Sequence, residues 1–125
     1  MCVYIFIAIK PTMKLIKDNE VFLKATINSH RGQGTALVSS AKKHQLDSIC
    51  EVLLNIVHGI IPVSNDIVKK AARYKSVLRQ IVGKLIKTKL RKELIIKYFN
   101  IVKQLLAFAL PVIGVIVTGC QLASS

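Results

Sequence analysis

The chain has 125 residues, 52% of them apolar, with 19 Lys or Arg against six Asp or Glu and a formal charge of +13. That length holds one modest core and argues against a second independent domain. The apolar content excludes a disordered basic tail, while the charge excess directs attention to DNA, RNA or anionic lipid headgroups, through fields that weaken as salt rises.

The N-terminal apolar run from Cys2 to Ile9 lacks a basic segment before it and is followed by Lys10 and Pro11, so it makes a poor signal peptide. Met13 serves equally well as the start of the folded part, which leaves residues 1–12 as an extension, a strand or a short interfacial segment. Between Met13 and Ile27, the residues Val21, Phe22, Leu23 and Ile27 suit a strand or a turn of helix equally. The glycines and small polar residues of His30-Arg31-Gly32-Gln33-Gly34-Thr35 predict a flexible loop, continued by Val38 to Ala41. Gly32 and Gly34 fit neither a Walker spacing nor GxGxxG, so a phosphate cradle is not expected there.

From Lys42 to Gly59 the apolar residues Leu46, Ile49, Cys50, Leu53, Ile56, Val57 and Ile60 recur at helical spacing, and Gly59 and Pro62 mark the end of a first helix. Ser64, standing before Asn65 and Asp66, predicts an N-cap and a second helix whose stripe is Ile67, Ala71, Tyr74, Leu78, Ile81 and Leu85. Gly83 and Lys87-Thr88-Lys89 weaken that pattern, and Thr88 is placed to cap a third helix starting near Lys89. Its stripe, Leu90, Leu94, Tyr98, Ile101, Leu105 and Phe108, runs on into an uncharged tail.

The predicted fold is therefore all-α, a small hairpin or bundle of about three helices with an apolar C-terminal helix and a poorly defined N-terminal region. Residues 1–41 are read as an N-terminal extension and loop, 42–103 as a basic helical domain, and 104–125 as an uncharged apolar tail. The tail residues Leu105, Leu106, Phe108, Leu110, Pro111, Val112, Ile113, Val115, Ile116 and Val117 suit three roles: a tail anchor, a membrane-disturbing segment, or the last helix of a buried core. Leu105 to Cys120 reaches about 24 Å as a helix, marginal for a bilayer, and extension to Ala123 brings it into the spanning range.

Between Lys69 and Lys103 stand twelve cations and one acid, Glu93. A solvated helix face ordinarily mixes signs, so this imbalance points to a polyanion. The candidate phosphate-neutralising residues are Lys69, Lys70, Arg73, Lys75, Arg79, Lys84, Lys87, Lys89, Arg91 and Lys92. No zinc-finger ligand set, RNP aromatic pattern or recognition helix accompanies them, so sequence-independent binding is expected. Tyr74, Tyr98 and Phe99 are read as core residues rather than base-stacking platforms.

Catalysis has little support: Asp47 and Glu51 are the one carboxylate pair on a shared helix face, and His30, His44 and His58 lie in different segments. Cys50 and His58 stand eight residues apart, about 12 Å along a helix, too far for thiolate activation. Cys2, Cys50 and Cys120 show neither a disulfide framework nor metal-ligand spacing, so reduced thiols, no metal and no cofactor are expected, in cytosol, nucleus or virion interior.

Ile49-Cys50-Glu51, Leu54 to Ser64, Tyr74-Lys75-Ser76-Val77-Leu78-Arg79-Gln80-Ile81 and Lys89-Leu90-Arg91-Lys92 together resemble small basic proteins of Polinton/Maverick elements and adintovirus-like DNA viruses. The likeness covers about half the chain; the order of a basic stretch and an apolar Pro/Gly tail is similar, more loosely, to the precursor of the adenovirus core protein Mu. The resemblance implies a non-enzymatic minor core or virion-associated protein that binds double-stranded DNA without reading sequence, located in the virion or the host nucleus. Capsid protein is a further implied partner. Two alternatives stand beside it: a cationic membrane-active or tail-anchored protein, and an oligomerising structural protein whose apolar stripes are covered by a second copy.

Overall fold

The computed structural model describes residues 14–57 and 64–124, with side chains as far as Pro111. Every regular element among the described residues is a helix: α1 Glu20–Ile27, α2 Arg31–Ser39, α3 Lys43–Val57, α4 Asn65–Arg73, α5 Lys75–Ile81, α6 Thr88–Lys97 and α7 Phe99–Ser124. A helical turn over residues 14–18 leads into α1. The all-α class agrees with the sequence reading, but these seven helices, besides the helical turn at 14–18, replace the expected three.

Three physical causes account for three of the four additional helices; the fourth is α1, where the sequence left strand and helix open. First, the stretch read as a loop around Gly32 and Gly34 is α2. A Cβ built at Gly34 would overlap the Phe99 ring, so this glycine provides space for a close approach rather than a turn. Second, the helix expected from Asn65 to Leu85 breaks at Tyr74, whose φ of −107° and ψ of 16° lie in the bridge region. The break leaves α4 without buried residues, while Leu78 and Ile81 of α5 enter the core against α3. Leu85, expected on the stripe, lies beyond α5 and is 99% exposed. Third, the helix expected to run from Lys89 into the tail breaks at Tyr98, with φ −106° and ψ 30°. There α6 and the first half of α7 meet at an angle of 89°. Thr88 is the first residue of α6 rather than its cap, and Lys87 precedes it in extended conformation.

Other expectations hold. In α3 the predicted stripe buries Leu46, Ile49, Leu53 and Ile56, with Cys50 and Val57 half-buried against the same cluster. Ser64 caps α4, its Oγ accepting from the Ile67 amide at 3.4 Å. Gly59, Ile60 and Pro62 lie outside the described residues.

One hydrophobic cluster joins Phe22 and Leu23 of α1, Val38 of α2, the α3 stripe, Leu78 and Ile81 of α5, Ile95 of α6, and Phe99, Val102, Leu105, Leu106 and Ala109 of α7. Residues 14–41, read as part of an extension and loop, include α1 and α2, which supply core side chains and pack on α3, α6 and α7. The first half of α7 is central: Leu105 and Leu106, read as tail residues, are fully buried. Phe108 and Leu110 are half-buried and Pro111 is exposed within the helix. The side chains of Val112, Ile113, Val115, Ile116 and Val117 lie outside the described residues. Among the described residues no single helix is long and apolar enough to cross a membrane; only the bent pair of α6 with Phe99–Pro111 has the length and composition.

Candidate nucleic-acid interface

The surplus of positive charge divides into two populations. The first is engaged inside the fold, at the C-terminal ends of helices, where the last carbonyls lack intrahelical partners and the helix dipole favours a cation. Lys92 Nζ donates to the Ser39 carbonyl that closes α2, at 3.0 Å. Lys103 Nζ donates to Ser29 O just past α1, at 2.7 Å, and Arg31 Nη2 to Ile96 O in the last turn of α6, at 3.3 Å. Arg91 is the most committed. Its Nε donates to Ile81 O at 2.9 Å and its Nη2 to Gly83 O at 2.6 Å, closing the end of α5. Its Nη1 stands 3.7 Å from Asp47 Oδ1 on α3, and only 13% of its side chain is exposed.

The second population faces water. Lys69, Lys70 and Arg73 are exposed on α4, Lys75 and Arg79 on α5, Lys84 and Lys87 on the connection, and Lys89 in the first turn of α6. Among the described residues none of these eight takes part in an ion pair; Lys70 donates to Gln104 Oε1 at 3.1 Å. The i,i+4 spacing of Lys69 with Arg73, and of Lys75 with Arg79, places each pair on one helix face. No carboxylate lies between Asp66 and Glu93 in the chain. Of the ten residues nominated from sequence, eight therefore remain available to an external anion, whereas Arg91 and Lys92 are held by backbone carbonyls.

Asp47 is engaged by Lys43 Nζ at 3.1 Å and by Arg91, and its helix neighbour Glu51 is half-buried. His44 Nδ1 lies 2.6 Å from Oδ1 of the buried Asn19, which itself donates to Leu15 O. Burial pushes the Cys50 thiol up to about 11, Arg91 opposing the shift and Asp47 adding to it, so the thiol stays protonated at neutral pH. A groove of about 450 Å³ between α1 and α2, edged by Asn28, Ser29, Gln33 and Leu37, carries no titratable side chain. Among the described residues no group of three His, Cys, Asp or Glu is placed to hold a metal ion.

Among the described residues the aromatic side chains pack within the fold. Phe99 is fully buried over Gly34. Tyr74 and Tyr98, the two residues at which helices break, meet edge to face with centroids 6.0 Å apart, and Lys97 Nζ lies 5.6 Å from the Tyr98 ring centre. Sequence reasoning missed the C-terminal capping role of Arg31, Arg91, Lys92 and Lys103, which no local pattern announces. It also missed the exposed Leu85 between Lys84 and Lys87, which the helical stripe had assigned to the core. Comparison of the chain with protein families, with curated proteins and with solved structures gives no match.

Proposed function

We propose that this protein is a non-enzymatic, sequence-independent binder of double-stranded DNA, acting as a minor core or virion-associated protein of a DNA virus or a virus-derived mobile element. The observation that carries the reading is the run of eight exposed cations from Lys69 to Lys89, unpaired by carboxylates among the described residues, on a chain whose other basic residues include several engaged as helix caps. Lysine and arginine on exposed helix faces and a turn supply phosphate contacts, which position a protein on a duplex without reading its bases. The residence in a virion or host nucleus follows from the resemblance to small basic proteins of adintovirus-like elements.

If all eight cations meet phosphates, affinity for duplex DNA falls about ten-thousandfold between 50 and 200 mM salt. Replacing Arg79, Lys84, Lys87 and Lys89 with Gln lowers affinity and flattens the plot of log affinity against log salt by about 0.9 for each phosphate contact removed. Mobility-shift titrations on several unrelated duplexes measure both quantities. Affinity and slope unchanged by the four substitutions reject the interface.

A further inference from the structure

The connection between α5 and α6 joins two properties that seldom occur together on a water-exposed turn. Leu85 is 99% exposed, and Leu90, in the first turn of α6, is 41% exposed. Lys84, Lys87 and Lys89 are exposed between and beside them. Five residues of chain separate the two leucines by no more than about 17 Å even when fully extended, so both fit one shallow footprint. The turn is also fixed at its root. Arg91 reaches back from α6 to bind Ile81 O and Gly83 O, the carbonyls where the turn begins. The burial that Ile81 enjoys is thus denied to Leu85, which lies past the tied carbonyls and points to water.

We infer that this Lys84–Leu90 tip is a peripheral membrane contact that takes an anionic phospholipid surface. Cations attract the headgroups electrostatically, and the leucines enter the headgroup–acyl boundary, where apolar side chains leave water without needing a preformed pocket. Two leucines set apart by lysines suit a broad fluid surface better than a single opened base step, which accepts one wedge. The contact is distinct from the C-terminal tail, whose first residues Leu105 and Leu106 are fully buried in the core. It adds a second partner to the proposed DNA interface, sharing lysines with it but not the leucines.

The chain contains no tryptophan, so Leu85→Trp introduces a single reporter on an exposed site that the fold does not depend on. Its emission shifts to the blue on addition of vesicles of phosphatidylcholine and phosphatidylserine, and not with phosphatidylcholine alone. In flotation with the same anionic vesicles, Leu85→Ser lowers partitioning of the full chain about tenfold. Its affinity for duplex DNA is unchanged. Flotation of Leu85→Ser equal to that of the unmodified protein, or emission that responds to duplex DNA and not to anionic vesicles, overturns the membrane assignment. The latter result would make the tip a DNA wedge. Failure of the DNA reading is scored separately, by the salt slope of the four-cation variant.

Discussion

The helices α3 and α4 are both amphipathic, yet they are held in different ways. Seven residues of α3 are buried, and its acid Asp47 is answered within the chain by Lys43 and Arg91. None of α4 is buried; it rests on half-buried Ile67 and Ala71, a serine cap and the contact of Lys70 with Gln104, and its three cations meet no carboxylate among the described residues. A helix with so little buried apolar surface belongs to the low-stability end of a fold, and its charge stays free for something outside. The contrast teaches that cohesion and charge are weighted differently along the chain: α3 turns its face to the core, α4 leaves its cations to solvent, and α5 does both, burying Leu78 and Ile81 while exposing Lys75 and Arg79.

The largest expected effect sharpens the core side of that contrast. Gly34→Ala drives a methyl into the Phe99 ring and costs about 3 kcal/mol in urea unfolding, because a close-packed site has no slack. In a Phe99→Leu background the same substitution costs distinctly less, which a double-mutant cycle reads as coupling. A full-sized penalty in both backgrounds would show that Gly34 is needed for another reason.

Cys50 provides a comparable effect confined to alkaline pH. Below pH 9.0, the thiol's ordinary value, the folded and unfolded states both hold the proton; between there and about 11 only the unfolded state releases it. Stability is therefore fully present below pH 9 and declines as pH rises through that window, by roughly 3 kcal/mol at most. Subtracting the pH profile of Cys50→Ala from that of the unmodified protein isolates this share.

Arg91→Gln tests the division between the two cation populations. It takes the guanidinium from the Gly83 carbonyl and leaves Ile81 O only the weak Cys50 thiol donor at 3.7 Å, and costs about 2 kcal/mol, whereas Lys89→Gln costs under about 0.5 kcal/mol. Salt dependence reverses the order: Lys89→Gln lowers the slope by about 0.9 and Arg91→Gln leaves it unchanged. Equal slope changes would break the distinction between capping and exposed cations. Ser64→Ala removes about 1 kcal/mol from the α4 cap, seen as faster amide exchange in α4 while Ile49 and Leu53 of α3 keep their protection.

What could be read from sequence was whatever depends on neighbours along the chain. The α3 stripe and the Ser64 cap are of that kind, since three- and four-residue spacing or a serine before an acidic first turn suffices to define them. The breaks at Tyr74 and Tyr98 are different, because neither has a proline or glycine beside it and each is imposed by how the flanking helices pack. Gly34 has the composition of a turn and the role of a packing space, and only the position of Phe99, far along the chain, separates the two. The same holds for the interface. Counting cations identified the basic region, but Arg91 and Lys92 look no different in sequence from Lys87 and Lys89, and only the carbonyls of Ile81, Gly83 and Ser39 set them apart.

The right-angled corner at Tyr98 makes α6 a strut held at both ends: Phe99 seats over Gly34 beside the corner, while Arg91 and Lys92 fasten the other half of the helix to the carbonyls of Ile81, Gly83 and Ser39. A bare hydrogen at position 34, where any other residue would carry a carbon, thereby leaves room for the ring that anchors one of those ends.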